Sequence, residues 1–105
     1  MTLSTHVLDT ARGVPAAGVP VRLESADGEI LASGHTDGDG RLRDWVPAQR
    51  WGPGDYRLVF DTAEYLGPEA FFPEVSVRFV VHDADRHHHV PLLLSPFGYS
   101  TYRGS

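Results

Sequence analysis

Cysteine is absent from this chain, and that one absence removes disulfide staples, zinc–thiolate sites and thiol nucleophiles together. A reducing compartment is therefore permitted without being required. Long apolar runs are also missing. Stretches such as "VPLLL" are far too short to span a bilayer, so no membrane partner is expected. Basic residues are in the minority, 9 Lys and Arg against 14 Asp and Glu, and the net charge of -5 is spread along the chain. That is the opposite of a nucleic-acid footprint, so no nucleic-acid partner is expected either. The residues after Met1, "TLSTHVLDT", have neither the basic segment nor the apolar core of a cleavable secretion signal, and the expected location is cytoplasmic. No long 3.6-residue apolar stripe runs through the sequence, which argues against a helical fold.

What is present instead is punctuation. Gly (11) and Pro (8) recur at short intervals between brief apolar runs, the pattern of an all-β domain. The 105 residues suit one domain, residues 1–105, and are few enough that association with copies of itself would add useful burial. Strands are predicted at about Leu3–Asp9, Val19–Ser25, Ile30–His35, Leu42–Trp45, Asp55–Asp61, Val75–Val81, His89–Leu94 and Ser100–Arg103. "ARGVPAAGVP" reads as a turn-rich connector and "ADGE" as a tight hairpin turn. One short helix is expected over "TAEYLG", capped by Asp61 or Thr62 and stopped by Gly67-Pro68. About eight short strands with one helical interruption make a two-sheet β-sandwich the economical fold. No internal repeat or linker is visible.

Strand alternation sorts the candidate chemistry. His87, His89, Pro91 and Leu93 share one face of their strand, while His88, Val90, Leu92 and Leu94 share the other, which is the more apolar and should face the core. In the first strand, a core-facing Val7 places His6 and Leu8 outward. Outward imidazoles beside Leu and Pro describe a ligand cleft or an oligomer interface, or else two solvated histidines; spacing alone does not pair them. The run His87-His88-His89 could chelate a metal, but no third ligand type stands at a recognised spacing, and the plainer use of His87 and His88 is as solvent-facing residues where the strand starts. "DGDGR" resembles a calcium loop only superficially. Counted from Asp37, position 5 is Arg41 and position 12 is Ala48, so the oxygen ligands are missing and a turn that leaves Arg41 at the mouth of a strand is the better reading. With no nucleophilic-serine motif, phosphate loop or carboxylate pair, the chemistry on offer is histidine acid–base work with an arginine to hold negative charge. That suits hydrolysis of an already activated carbonyl.

Taken together, "LSTHVLDTARGVPA", "TDGDGR", "HHHVPLLLSPFGYS" and "TYRGS" resemble the 5-hydroxyisourate hydrolases, the enzymatic relatives of transthyretin, over nearly the whole chain. The hormone carrier lacks the histidines and the "YRGS" ending; the middle "GVPVRLES" to "GPGDYRLVF" pattern also resembles β-sandwich modules attached to carboxypeptidases. The resemblance implies a transthyretin-like sandwich that assembles as a dimer of dimers, a homotetramer with active sites in a channel between the dimers. It implies hydrolysis of the small heterocycle 5-hydroxyisourate without metal or organic cofactor. It implies His6, Arg41, His89 and Ser105 as catalytic residues, with His6, Arg41, His89, Tyr102, Arg103 and Gly104 holding substrate. A non-catalytic carrier of an aromatic ligand and a structural sandwich module are the alternatives, and the second of these predicts a monomer.

Overall fold

The short apolar runs between the Gly and Pro clusters pair into two sheets in a computed structural model that describes residues 2–105. In chain order the strands are β1 (Leu3–Asp9), β2 (Val14–Pro15), β3 (Pro20–Ser25), β4 (Ile30–His35), β5 (Arg41–Leu42), β6 (Gly54–Phe60), β7 (Val75–Val81), β8 (His88–His89), β9 (Leu92–Ser95) and β10 (Gly98–Thr101). A 3-10 turn at Ala48–Arg50 follows β5, and the helix α1 (Thr62–Leu66) links β6 to β7. The two-sheet β-sandwich expected from the sequence is the observed architecture.

One sheet runs β4-β3-β6-β7 and is antiparallel throughout. The other is organised around β1, with order β10-β9-β1-β2 and with β5 and β8 also paired to β1. Its chain path explains the site. On one side, β1 runs parallel first to β8 (Ser4 opposite His89) and then to β9 (Leu8 opposite Leu93). On the other side it is antiparallel first to β5 (His6 opposite Arg41) and then to β2 (Leu8 opposite Pro15). Paired residues in a ladder share a face, so Ser4, His6, Arg41 and His89 all project from the outer surface of this sheet. The opposite face carries Leu3, Val7, Leu92 and Leu94 into the core against Val21, Leu23, Leu58 and Phe60. Burying side chains of this size stabilises the sandwich by about 1.5–3 kcal/mol each.

β1, β4 and β7 have the predicted limits, and β3 and β6 lie within one residue of theirs. Asp61 is the cap of α1, its carboxylate accepting from Glu64 N–H at 3.3 Å. "ADGE" is the β3–β4 turn, with Gly28 at φ 89°, the left-handed region that favours glycine. Four expectations are corrected. The strand expected at Leu42–Trp45 is only Arg41–Leu42, because Asp44 takes φ 55° and turns the chain. The strand expected at His89–Leu94 is split into β8 and β9 around Val90-Pro91; Pro91 has no N–H to give to a ladder, and it is buried rather than outward. The last strand, expected at Ser100–Arg103, is Gly98–Thr101. Its register nevertheless continues across the gap opposite Pro91, so that Gly104 bridges His89, donating its N–H to the His89 carbonyl at 2.8 Å. Finally, His88 is not solvent-facing. It is buried, donates from Nδ1 to the Arg86 carbonyl at 2.8 Å and meets Trp51 edge-on at 5.7 Å between ring centroids.

Candidate active site

Arg41 is placed by the turn before it. The Asp37 carboxylate accepts from Asp39 N–H and Arg41 N–H, both at 2.9 Å, and these backbone donors, the Arg41 N–H foremost, hold its pKa below the usual value. Gly40, at φ 75°, lies so close under β1 that a Cβ there would run into the Val7 carbonyl, and its own carbonyl accepts from Val7 N–H at 2.7 Å. The turn is thereby welded to β1, and Arg41 leaves it beside His6. None of the ion pairs formed among the described residues involves Arg41.

His89 reaches the same surface from the other side of β1. Its Nδ1 lies 2.7 Å from Ser4 Oγ, and the same hydroxyl lies 2.8 Å from His87 Nε2. Gly104 covers the ring so tightly that a Cβ there would collide with Cδ2. The half-buried ring has its pKa lowered, first by burial and then by the positive charge of Arg41 and the neighbouring His6 and His87. A neutral, proton-accepting imidazole near pH 7 is the result.

Between these groups opens a cleft of about 220 Å³ lined by Arg41, Arg43, His87 and His89 together with Ser4, Thr5 and Ser105. On a chain of net charge -5 this is a locally cationic surface. It has a base, hydroxyl groups and guanidinium donors within one small space, the equipment for adding water to a carbonyl and holding the resulting oxyanion.

Of the residues singled out in the sequence, the fold brings Arg41, His89 and Ser105 into this cleft. His6 stands on the same face beside Arg41, but its Nε2 donates to the Asp39 carbonyl at 2.9 Å and it makes no hydrogen bond to His89. Tyr102 and Arg103 line a neighbouring cavity of about 190 Å³ against Val77, Phe79 and Val80 of β7, and His89 lines both cavities. Gly104 contributes its closeness to His89. Of the three consecutive histidines, His87 and His89 meet at the Ser4 hydroxyl while His88 turns away to the Arg86 carbonyl, and no group of three or more His, Cys, Asp or Glu residues converges as a metal site among the described residues. Ser4 was missed in the sequence. Its place on the His6 face was legible from alternation, but its histidine partners come from the long-range parallel pairing of β1 with β8.

This is a transthyretin-type sandwich whose β1-centred sheet carries a histidine–arginine cleft on its outer face. Residues 3–104 match the HIUase/Transthyretin family, and the chain belongs to it. It is 48% identical over 109 residues to the 5-hydroxyisourate hydrolase of Salmonella dublin, covering 98% of this chain and 80% of that one. Among solved structures it is similar to the 5-hydroxyisourate hydrolase of Klebsiella pneumoniae, with a TM-score of 0.87, 41% identity and full coverage of both chains. It is also similar to sea bream transthyretin in complex with thyroxine, with a TM-score of 0.88 and 34% identity over 99% of this chain and 95% of that one.

Proposed function

We propose that residues 1–105 act as one domain that hydrolyses 5-hydroxyisourate to 2-oxo-4-hydroxy-4-carboxy-5-ureidoimidazoline, the step that follows urate oxidation in purine breakdown. The observation that carries this reading is the juxtaposition of His89, Arg41 and Ser105 in one cleft, in a chain whose relatives at 41–48% identity bear the name of that hydrolase. Water adds to a ring carbonyl as its proton passes to His89 Nε2; a C–O bond forms and the carbonyl oxygen becomes anionic. Arg41 holds that charge, and the ring C–N bond then breaks as His89 returns a proton to the leaving nitrogen. His89 is preferred over His6 as the base because the Nε2 of His6 is committed as a donor to a carbonyl, which can only accept. Ser105 closes the cleft, while Tyr102, Arg103 and Gly104 hold the heterocycle and the His89 ring from the adjoining side.

The working form in this reading is a cytoplasmic homotetramer. Support comes from the half-buried Leu8 and Leu93 on the face that bears the cleft, and from β7 and β10, which end their sheets as edges carrying exposed Val80 and Tyr99. Light scattering tests it: a monomer would refute the assembly.

The experiment for the activity is a stopped-flow ultraviolet assay in which a urate oxidase generates 5-hydroxyisourate in place and its decay is followed against the spontaneous rate. Decay accelerated by this protein, and not by its His89→Ala variant, is expected. No acceleration by the intact protein would overturn the hydrolase reading in favour of a carrier.

A further inference from the structure

We propose that Ser4 and His87 are positioning residues that form, with His89, a reversible proton relay from the cleft to solvent. The proposal rests on the hydrolase reading above and deepens it.

A serine hydroxyl has one proton, so the Ser4 Oγ that lies 2.7 Å from His89 Nδ1 and 2.8 Å from His87 Nε2 can donate to only one of them and must accept from the other. Two arrangements follow, and they are mirror images. In the first, His89 Nδ1–H donates to Ser4 and Ser4 donates to His87, which leaves a lone pair on His89 Nε2. In the second, His87 Nε2–H donates to Ser4 and Ser4 donates to His89, which leaves a proton on His89 Nε2. The first is the base needed to activate water, and the second is the acid needed by the leaving nitrogen.

Passage between them is balanced. A water proton arrives at His89 Nε2, the Nδ1 proton moves to Ser4 Oγ, the original Ser4 proton moves to His87 Nε2, and the Nδ1 proton of His87 leaves to solvent. Running the chain backwards delivers the Nε2 proton to the nitrogen as the C–N bond breaks. Ionisation of the new carboxylic acid then accounts for the one proton that the hydrolysis releases. His87 is exposed and Ser4 buried, so one end of the chain is wet and its centre is shielded.

The surroundings give the relay a purpose. His89 faces Arg41 from β5, His6 from β1 and His87 from its own segment, with Arg43 across the cleft and Arg103 in the adjoining cavity. An imidazolium held there would sit among like charges, whereas the relay exchanges protons without leaving His89 charged.

The test combines kinetics with ring-nitrogen NMR of the resting protein. Ser4→Ala should lower kcat by about 10–100-fold with KM within about twofold, and Ser4→Thr should keep most of the rate. His87→Gln, which can still bond Ser4 but cannot pass a proton, should lower kcat by about 3–10-fold and move the acid limb of kcat/KM upward, because one of the charges opposing protonation of His89 is gone. The dependence of kcat on deuterium content should be curved in the wild type, with several protons in flight, and linear in Ser4→Ala. In the resting protein, Ser4→Ala should change the tautomer ratio of His89. Wild-type kcat and an unchanged tautomer ratio in Ser4→Ala, with His89→Ala inactive, would overturn the relay and leave the hydrolase reading standing. No turnover by the wild type would overturn the hydrolase reading and the relay's part in it.

Discussion

The two sheets of this sandwich are built on opposite plans. The β4-β3-β6-β7 sheet has strands of six or seven residues and near-continuous antiparallel registers; β6 and β7 pair from Gly54–Val81 to Phe60–Val75 without a break. The β1-centred sheet contains three strands of only two residues, β2, β5 and β8, each set against a different stretch of β1. Continuity in the first gives a regular inner face, with Leu23, Leu58 and Phe60 fully buried. Interruption in the second lets two distant segments end beside the same few residues of β1, which is how Arg41 and His89 come to share a cleft. Regular pairing supplies stability, and broken pairing supplies the site.

This division makes a prediction for each sheet. The largest effect is expected from His89→Ala, which should lower kcat/KM for 5-hydroxyisourate by about 10²–10⁴-fold while leaving the thermal midpoint near that of the wild type; stopped-flow decay and calorimetry measure the two sides. Leu58→Ala should do the reverse. Removing a fully buried side chain from the regular sheet should destabilise the fold by about 2–5 kcal/mol in denaturant titrations, with kcat little changed at temperatures where the variant is folded. If Leu58→Ala instead abolished turnover in the folded protein, the separation of roles would be wrong. Gly104→Ala follows. The new methyl would displace the His89 ring, and a misplaced base should cost about 10²-fold in kcat with a smaller change in stability.

The same contrast decided what the sequence could disclose. In β1, β4 and β7, turn residues bracket the apolar runs and local propensity agrees with tertiary pairing, so their limits were readable. The outward placement of His6 and His89 was readable too, because alternation depends only on period. What could not be read was who stands opposite whom. The parallel partnership of Ser4 with His89 joins residues 85 positions apart, and no spacing rule announces it. Pro91 was expected as an outward residue inside one strand, His89–Leu94; that the strand breaks there, opposite Tyr102 and with Gly104 returning to His89, needed the register of β10. Arg41 was found from the "DGDGR" turn and from family resemblance. Its proximity to His89 came only with both sides of β1 in view.

The smallest effect concerns pH, and it again separates the site from the scaffold. Burial, then the charges of Arg41, His6 and His87, hold the pKa of His89 below its ordinary 6.5. In the proposed mechanism the neutral ring is the active form, so kcat/KM should stay level as pH falls to 6.5 and decline only below it, as the folded-state group takes up its proton. Stability follows the same sign. The unfolded chain binds this proton first, so the contribution of His89 is present above 6.5 and is lost as pH drops through the lowered folded-state value. Replacing His6 by Gln removes one of the opposing charges and should move the acid limb back toward 6.5, without a comparable change in Leu58→Ala. A rate profile flat from about pH 5 to 8 in the wild type would show that no imidazole acts as the base.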